Sequence, residues 1–320
     1  MRLRLTYIDN LKAFAITLVV LGHIIQNFDS SYDQNHLFRY IYSFHMPLFM
    51  AISGFCCSVN DKIKDIVTKR FFQLIIPFFA WALISQYLGG PSIIKVLISP
   101  INGLWFLYAL FFINVLFVGS YKLSVRNNLN FLWISAIGVF LLFVTGLIFR
   151  EKFGLGDIAW HYPFYWGGYY LKKHQYLLNK KVLTVSSLLL WLVMGWFWMR
   201  ITSPSFFLDV NIHSKGVMYL WKFSTALVGL FTFISLFKLY TNTIHIKFLY
   251  LLGTNTLGIY AVHFHVIKIL SNIIGQSFTY TTLFVVIALI VVIGFSCMLV
   301  WLFKRNSYIA TVLIGYPFRK

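Results

Sequence analysis

Several histidines lie inside long apolar stretches of this 320-residue sequence. Ionisable side chains are costly within a membrane and are by default functional candidates there. Imidazole titrates near neutral pH, so it can exchange a proton with a hydroxyl group, act as a nucleophile or bind a metal ion. The alternative for any single histidine is an interhelical hydrogen bond with no catalytic role. We single out His23, His45 and His263 as candidate catalytic residues, and His265 as a weaker one.

Lys12 and His23 lie eleven residues apart in the first apolar stretch. At about 3.6 residues per turn this spacing is about three turns, so both side chains project from one helix face, separated by about 16 Å. Gln26 and Asn27 continue the same polar stripe by one turn. Asp9 precedes Lys12 by three residues, a spacing at which the two charges can pair. The sequence therefore predicts a polar stripe that runs from one membrane face to beyond the midplane.

The other histidines are expected at the depth of His23. His45 lies in the outer half of the second stretch, and His263 and His265 lie in the outer half of the ninth. Because His263 and His265 are two residues apart on a helix, they face different directions, and at most one is expected to meet the others. A metal site is disfavoured, since no carboxylate accompanies these residues within the stretches and no helix carries histidines at i and i+4.

The elements that carry these residues are expected to be membrane-spanning helices. Of all residues 59% are apolar and 11% are charged, too few to cover the surface of a water-soluble globule. The apolar stretches are continuous rather than alternating, which predicts an all-α bundle and not a barrel. We predict ten spans, near residues 11–28, 37–59, 71–88, 102–119, 130–149, 154–171, 182–199, 216–237, 248–269 and 281–303.

The net charge of +19 is explained by topology and needs no nucleic acid partner. With the N-terminus inside, 19 of the 27 basic residues fall on the inner side, so both termini are predicted to be cytoplasmic. These residues are Arg2, Arg4, Lys12, Lys62, Lys64, Lys69, Arg70, Lys122, Arg126, Lys172, Lys173, Lys180, Lys181, Lys238, Lys247, Lys304, Arg305, Arg319 and Lys320. Residues 1–320 are interpreted as one transmembrane domain with no soluble catalytic domain, and the oligomeric state has no sequence signal.

Two motifs near the N-terminus resemble a known family. The stretch YIDNLK at 7–12, continued by VVLGH at 19–23, is similar to the opening helix of membrane-bound acyltransferase family 3, whose signature is a basic residue, ten intervening residues and a histidine. FHMPLF at 44–49 and SGF at 53–55 look like the branch that contains fucose 4-O-acetylases and O-antigen or capsule acetyltransferases. Weaker similarities are WFL at 105–107 and YAVH at 260–263.

The resemblance implies an enzyme of the bacterial inner membrane that transfers an acetyl group from cytoplasmic acetyl-CoA to a hydroxyl of a cell-surface or lipid-linked sugar. His23 would then be the base or a transient acyl carrier, with His45 or His263 orienting it or stabilising the oxyanion. Acetyl-CoA is a co-substrate, and no cofactor is expected. Lys12, Lys69, Arg70 and Asp9 are candidates for the donor site, and Trp105, Tyr108 and Gln26 for the acceptor site.

The sequence departs from the family at the donor end. Many members carry paired arginines in an R-x-x-R pattern entering the third span, whereas this sequence has Arg70 followed by Gln73. Two other interpretations stay open. A non-enzymatic exporter of polysaccharide or lipid-linked sugar would also have about ten spans with polar groups at midplane, and discontinuous helices would favour it. An accessory membrane subunit with structural histidines is the third.

Overall fold

The computed structural model describes residues 5–102, 104–149, 152–201, 215–274 and 281–317. Its secondary structure over these residues is helical, which confirms the all-α prediction. Short 3₁₀ turns connect several of the helices. The helices are α1 Thr6–Phe28, α2 His36–Phe55, α3 Ile63–Arg70, α4 Ile76–Tyr87, α5 Ile93–Ile98, α6 Trp105–Asn127, α7 Phe131–Ile148, α8 Leu155–Lys173, α9 Lys181–Trp196, α10 Lys215–Thr241, α11 Lys247–Thr254, α12 Thr256–Ile274, α13 Thr282–Phe303 and α14 Ser307–Ile314.

A helix occupies the position of each of the ten predicted spans. Within the described ranges, seven helical segments are long and apolar enough to cross a membrane, namely α1, residues 63–87, α6, α7, residues 216–241, α12 and α13. The chain is therefore a multi-pass membrane protein, while ten spans and cytoplasmic termini stay predictions. Arg2, Arg4, Arg319 and Lys320, which contribute to the predicted charge bias, lie outside the described residues.

The ninth predicted span, 248–269, is wrong as a single continuous helix. It is divided at Asn255 into α11 and α12, and α12 continues to Ile274. The Asn255 side-chain amide donates to the Leu251 carbonyl at 2.8 Å, which satisfies one carbonyl at the end of α11. His263 consequently lies in the first half of α12 rather than near its end. The third span also begins earlier than predicted, because α3 runs through a π-helical turn, Phe71–Ile75, into α4.

The chain divides into two compact units, and the division falls within α2, α8 and α13. The first unit contains residues 1–52 and 170–298. Its most deeply buried spanning helix is α1. Phe14 of α1 stacks on Phe233 of α10 at 5.1 Å, and the Asn10 amide donates to the Thr241 and Ile244 carbonyls at 3.2 and 2.9 Å. Contacts through both apolar and polar side chains thus hold α1 against α10.

Helices α2 and α9 pack against each other in the same unit. The Tyr40 hydroxyl donates to the Leu192 carbonyl at 2.8 Å, and the Trp191 indole donates to the Ser43 hydroxyl at 3.2 Å. A side chain at Gly195 would collide with the Tyr40 ring, so the small residue allows the two helices to approach closely. These contacts fix α2, which carries the candidate residue His45.

The second unit contains residues 53–169 and 299–320. The Trp81 indole of α4 donates to the Leu313 carbonyl of α14 at 2.8 Å. In its interior the Asn114 amide donates to the Tyr165 hydroxyl at 2.6 Å, between α6 and α8. Helix α7 is the least buried of the spanning helices and presents large apolar side chains, as expected for a helix that faces lipid.

Candidate functional site

The first unit brings two of the candidate histidines together. The ring centroids of His23 in α1 and His263 in α12 lie 5.3 Å apart. Phe264, the next residue of α12, lies edge-on to the His23 ring at 5.8 Å. Of the two histidines of α12, His263 is therefore the one found at His23, in agreement with the expectation from helix phase. The His263 side chain is only 2% exposed, so this contact lies inside the unit.

Tyr42 of α2 lies between His45, the third candidate histidine, and His23. Its hydroxyl donates to Gln26 Oε1 at 2.7 Å and lies 3.5 Å from His23 Nδ1. Its ring lies 4.7 Å from the His45 ring, one helical turn further along α2. Because the single Tyr42 proton goes to Gln26, the phenol oxygen can accept from His23 when Nδ1 carries the hydrogen. In that tautomer His23 Nε2 carries the lone pair.

Backbone carbonyls fix the protonated nitrogen of the other two imidazoles. His263 Nδ1 lies 2.8 Å from the Tyr260 carbonyl, and His45 Nδ1 lies 2.8 Å from the Ile41 carbonyl. A carbonyl oxygen only accepts, so Nδ1 carries the hydrogen in both rings and Nε2 carries the lone pair. His263 Nε2 is buried and has no hydrogen-bond partner among the residues that the structure describes. A buried polar atom without a hydrogen-bond partner costs free energy, so we expect this nitrogen to have a function.

Local sequence signals place α2 so that Tyr42 and His45 reach the site. The Asn35 side chain accepts from the Leu37 and Phe38 backbone N–H groups at 3.0 and 3.3 Å and so caps the helix. The Asp29 carboxylate, at the end of α1, accepts from the Asn35 amide at 3.0 Å. Side-chain hydrogen bonds thus join the end of α1 to the start of α2. They limit how far the two helices can shift.

Arg200, which follows α9, lies beside Tyr42 and was not predicted as a site residue. Its guanidinium carbon is 5.0 Å from the centroid of the Tyr42 ring. Its backbone N–H donates to the Asp33 carboxylate at 2.8 Å, and its carbonyl accepts from Lys222 Nζ at 2.9 Å. The guanidinium makes no side-chain hydrogen bond or ion pair with any part of the chain that the structure describes. A fixed backbone therefore presents an unpaired cation on the Tyr42 ring.

The other end of α1 carries the predicted acid–base pair. Lys12 Nζ lies 3.7 Å from the Asp9 carboxylate, as their spacing predicts. The Asp9 side chain is buried, and Gly253 of α11 packs directly on the Asp9 backbone carbonyl, where any larger residue would collide. Lys12 is more accessible than Asp9, with 27% of its side chain exposed against 9%. Gly253 thus lets the end of α11, just before the break at Asn255, pack closely on α1.

The remaining predicted residues belong to the second unit. Arg70 donates to Gln73 Oε1 at 3.1 Å, so the glutamine that replaces the family's second arginine contacts the first. Lys69 is exposed at the end of α3. Trp105 lies against His161 at 5.1 Å, and Tyr108 against Phe112 at 4.7 Å. Their assignments to a donor or an acceptor site stay predictions.

Two residues of the site were missed from the sequence. Tyr42 carries a signal that could have been used, because it precedes His45 by three residues and so shares its helix face. Arg200 carries none, since it follows the end of a helix and reaches Tyr42 only through the packing of α9 on α2. Among the described residues, no group of three histidine, cysteine or acidic side chains is arranged to hold a metal ion.

The fold and this site define a multi-pass membrane protein in which a partly exposed and a buried histidine pair beside a tyrosine–glutamine hydrogen bond. Residues 5–301 match the acyltransferase domain that defines acyltransferase family 3. The chain therefore belongs to acyltransferase family 3, and the resemblance seen in the first two helices is confirmed.

Similarity to individual proteins is more limited. The nodulation protein NolL of Mesorhizobium japonicum is 28% identical over 178 residues, which cover 50% of this chain and 46% of the relative. The NolL of Sinorhizobium fredii is 40% identical over 86 residues, which cover 24% of this chain and 23% of the relative. The chain thus spans less than half the length of the curated relatives it matches. No solved structure is significantly similar to it.

Proposed function

We propose that the protein is an O-acyltransferase that moves an acetyl group from cytoplasmic acetyl-CoA to a hydroxyl of a cell-surface or lipid-linked sugar. The observation that carries the proposal is the His23–His263 ring pair at 5.3 Å, in which His23 lies on the same helix as Lys12. Family membership supports acyl transfer as the reaction class. We place the protein in a bacterial inner membrane, with both termini cytoplasmic and ten spans.

His23 Nε2 suits the role of general base. It accepts the proton of the sugar hydroxyl while the hydroxyl oxygen attacks the thioester carbonyl, and the C–S bond breaks to release the CoA thiolate. The imidazolium then returns the proton to the thiolate, so the histidine is regenerated. Tyr42, held by Gln26, keeps the Nδ1 proton of His23 in place during this exchange. We assign Gln26, Trp105 and Tyr108 to the acceptor site.

A covalent route uses the same atom. Here His23 Nε2 attacks the thioester, the thiolate leaves, and the acetyl-imidazole then transfers its acetyl group to the sugar hydroxyl. His263 Nε2, whose lone pair has no partner among the described residues, would accept the hydroxyl proton in the second step and pass it to the CoA thiolate. His45 helps to orient the group through Tyr42. Trapping an acetylated His23 by rapid quench and mass spectrometry separates this route from general base catalysis.

The donor is proposed to approach from the Lys12 end of α1. About 16 Å separate Lys12 from His23 along the helix. The donor must therefore carry its thioester on an extended arm that reaches from Lys12 to His23. Lys12, positioned by Asp9, is assigned to the donor phosphates together with Lys69 and Arg70. Acetyl-CoA enters as a co-substrate, and no resident cofactor or metal takes part in the proposal.

The exporter interpretation has one observation in its favour, the helix break between α11 and α12. However, the break lies where Gly253 packs on Asp9, at the end of α1 remote from His23. Its position suits the close docking of α11 onto α1 more than a substrate site at midplane. A deletion strain that lost glycan export but kept acetylated glycan in the cytoplasm would support the exporter.

The deciding experiment compares His23→Ala with His245→Ala, a control at an exposed histidine of the same unit. Both variants are expressed in a deletion strain, their membrane levels are measured by immunoblot, and ester-linked acetyl groups on the surface glycan are measured by mass spectrometry and NMR. We expect His23→Ala to abolish acetylation and His245→Ala to retain it. Normal acetylation in a His23→Ala protein that accumulates normally would exclude the mechanism.

A further inference from the structure

We infer that Arg200 binds a negatively charged oxygen group, a carboxylate or phosphate, carried by the sugar acceptor. The inference rests on the proposed acyl transfer and adds the chemical class of its acceptor. It starts from the Tyr42 ring, which lies 6.3 Å from the His23 ring and 5.0 Å from the guanidinium carbon of Arg200. One aromatic residue therefore contacts both the proposed base and the Arg200 guanidinium.

Hydrogen bonds to its N–H and carbonyl groups hold the backbone of Arg200 in place. The Asp33 carboxylate accepts from the N–H groups of Arg200 and Ile201 at 2.8 and 3.2 Å, and Lys222 donates to the Arg200 carbonyl at 2.9 Å. Arg39 in turn donates to the Asp33 carbonyl at 2.8 Å and so fixes the Asp33 segment. The guanidinium is thus presented from an anchored backbone, while its own N–H donors stay exposed.

Among the described residues around this position, the basic Arg39, Arg200 and Lys222 outnumber the acidic Asp29 and Asp33. Arg39, Arg200 and Lys222 surround Asp33, and both oxygens of that carboxylate accept hydrogen bonds from backbone N–H groups. Within the described residues the Arg200 guanidinium donates no hydrogen bond to a carboxylate. A positive field beside a reactive group attracts and orients a ligand of opposite charge, and an arginine fork matches the two oxygens of a carboxylate or phosphate.

A neutral sugar carries no negative charge that could pair with the Arg200 guanidinium. A sugar with a carboxylate or phosphate on the same or a neighbouring ring would place its hydroxyl at His23 and its anion at Arg200, with Tyr42 between them. The phosphate of a membrane lipid headgroup offers the same chemistry, because long basic side chains extend toward headgroups. We favour the acceptor, because Arg200 stacks on the residue that contacts His23 rather than on an aromatic residue apart from the site.

The test measures acetyl transfer by detergent-purified, full-length protein free of phospholipid. The acceptor is the surface glycan of the strain that carries the protein, either intact or after reduction of its carboxyl groups and removal of its phosphates. For the intact glycan we expect Arg200→Gln to raise the acceptor KM about tenfold or more with little change in kcat. For the neutralised glycan, wild type and variant should have the same, higher KM.

Two further variants make the test specific. Arg200→Lys keeps the charge but loses the fork, so its KM for the intact glycan should be intermediate. Lys181→Gln removes one positive charge from the start of α9, the helix that Arg200 follows, and should behave like wild type. Size-exclusion profiles of all variants identify any that misfold, and raising the salt concentration should weaken binding of the intact glycan to wild type.

The outcomes separate the two proposals. A wild-type protein that acetylates no form of the glycan contradicts the proposed function. Active protein with equal effects of Arg200→Gln on intact and neutralised glycan contradicts the anion site, as does a native acceptor without acidic groups. An Arg200→Gln defect that appears only in phospholipid vesicles and is absent in detergent would assign the cation to a lipid headgroup instead.

Discussion

The ring of His263, on α12, lies 5.3 Å from the ring of His23, on α1. The two residues stand near opposite ends of the sequence, and each is presented by its own helix face. His263 commits its Nδ1 proton to the Tyr260 carbonyl, which leaves a buried Nε2 lone pair beside the proposed base. Two neighbouring imidazoles, one of them with a buried lone pair, are a suitable arrangement for passing a proton from an alcohol.

The role of His263 is tested by two amide replacements. Asn at this position can keep the hydrogen bond that Nδ1 gives to the backbone but lacks a group at the Nε2 position, whereas Gln reaches the Nε2 position. We expect His263→Asn to lower kcat for acetyl transfer 10- to 100-fold, about 1.4–2.8 kcal/mol, without loss of thermal stability. Single-turnover kinetics in detergent measures this change in kcat. An activity close to wild type in His263→Asn would limit His263 to packing.

Removing the Tyr42 hydroxyl should weaken catalysis without disturbing the fold. Tyr42→Phe keeps the ring beside Arg200 and His45 but deletes the oxygen that lies between Gln26 and His23. We expect a fall in kcat of about tenfold, because the His23 imidazole loses the group that orients its Nδ1. The acceptor KM should change little. A large KM effect with unchanged kcat would mean that Tyr42 binds substrate instead of positioning the base.

The contact between α11 and α1 should be sensitive to a single methyl group. In Gly253→Ala the new Cβ would overlap the Asp9 carbonyl oxygen, so the helices must separate. We expect a loss of about 1–3 kcal/mol in stability and a higher KM for acetyl-CoA, because the Asp9–Lys12 pair shifts. Thermal unfolding in detergent and initial rates measure the two effects.

A matched control exists for this substitution. Gly294 lies in a helix of the same unit, and among the described residues no atom beyond its neighbouring helix backbone lies within 4 Å of the position its Cβ would take. Gly294→Ala should therefore leave stability equal or slightly higher, since alanine favours helix. If Gly253→Ala and Gly294→Ala unfold at the same temperature, α11 does not approach α1 as closely as described.

The departure from the paired-arginine pattern can be tested at Gln73. Arg70→Gln should raise the KM for acetyl-CoA about tenfold, because a charge-assisted contact to phosphate is lost. Gln73→Leu removes the oxygen that accepts from Arg70 and should raise KM by a smaller factor. Gln73→Arg restores the family pattern and should lower KM. Lys64→Gln, an exposed change on the same helix, serves as the control for charge alone.

Several features of this protein could be predicted from the sequence because they depend on local rules. Long apolar stretches predict spanning helices, since a bilayer needs a fixed length of apolar helix. The spacing of Lys12 and His23 fixes their common face, and the spacing of Asp9 and Lys12 predicts their pairing, because both follow from the helical repeat alone. The motif around His23 identified the family that the whole-chain match confirms.

Only the tertiary structure decided which side chains from distant helices meet. Helix phase allowed one of His263 and His265 to reach His23, but the packing of α12 on α1 selected His263. The close approach of Gly253 to the Asp9 carbonyl, beside the break at Asn255, joins residues that no local pattern connects. Arg200 reaches Tyr42 through α9, Asp33 and Lys222 together. Such contacts depend on the shapes of surfaces far apart in sequence, whereas phase and length are properties of a single helix.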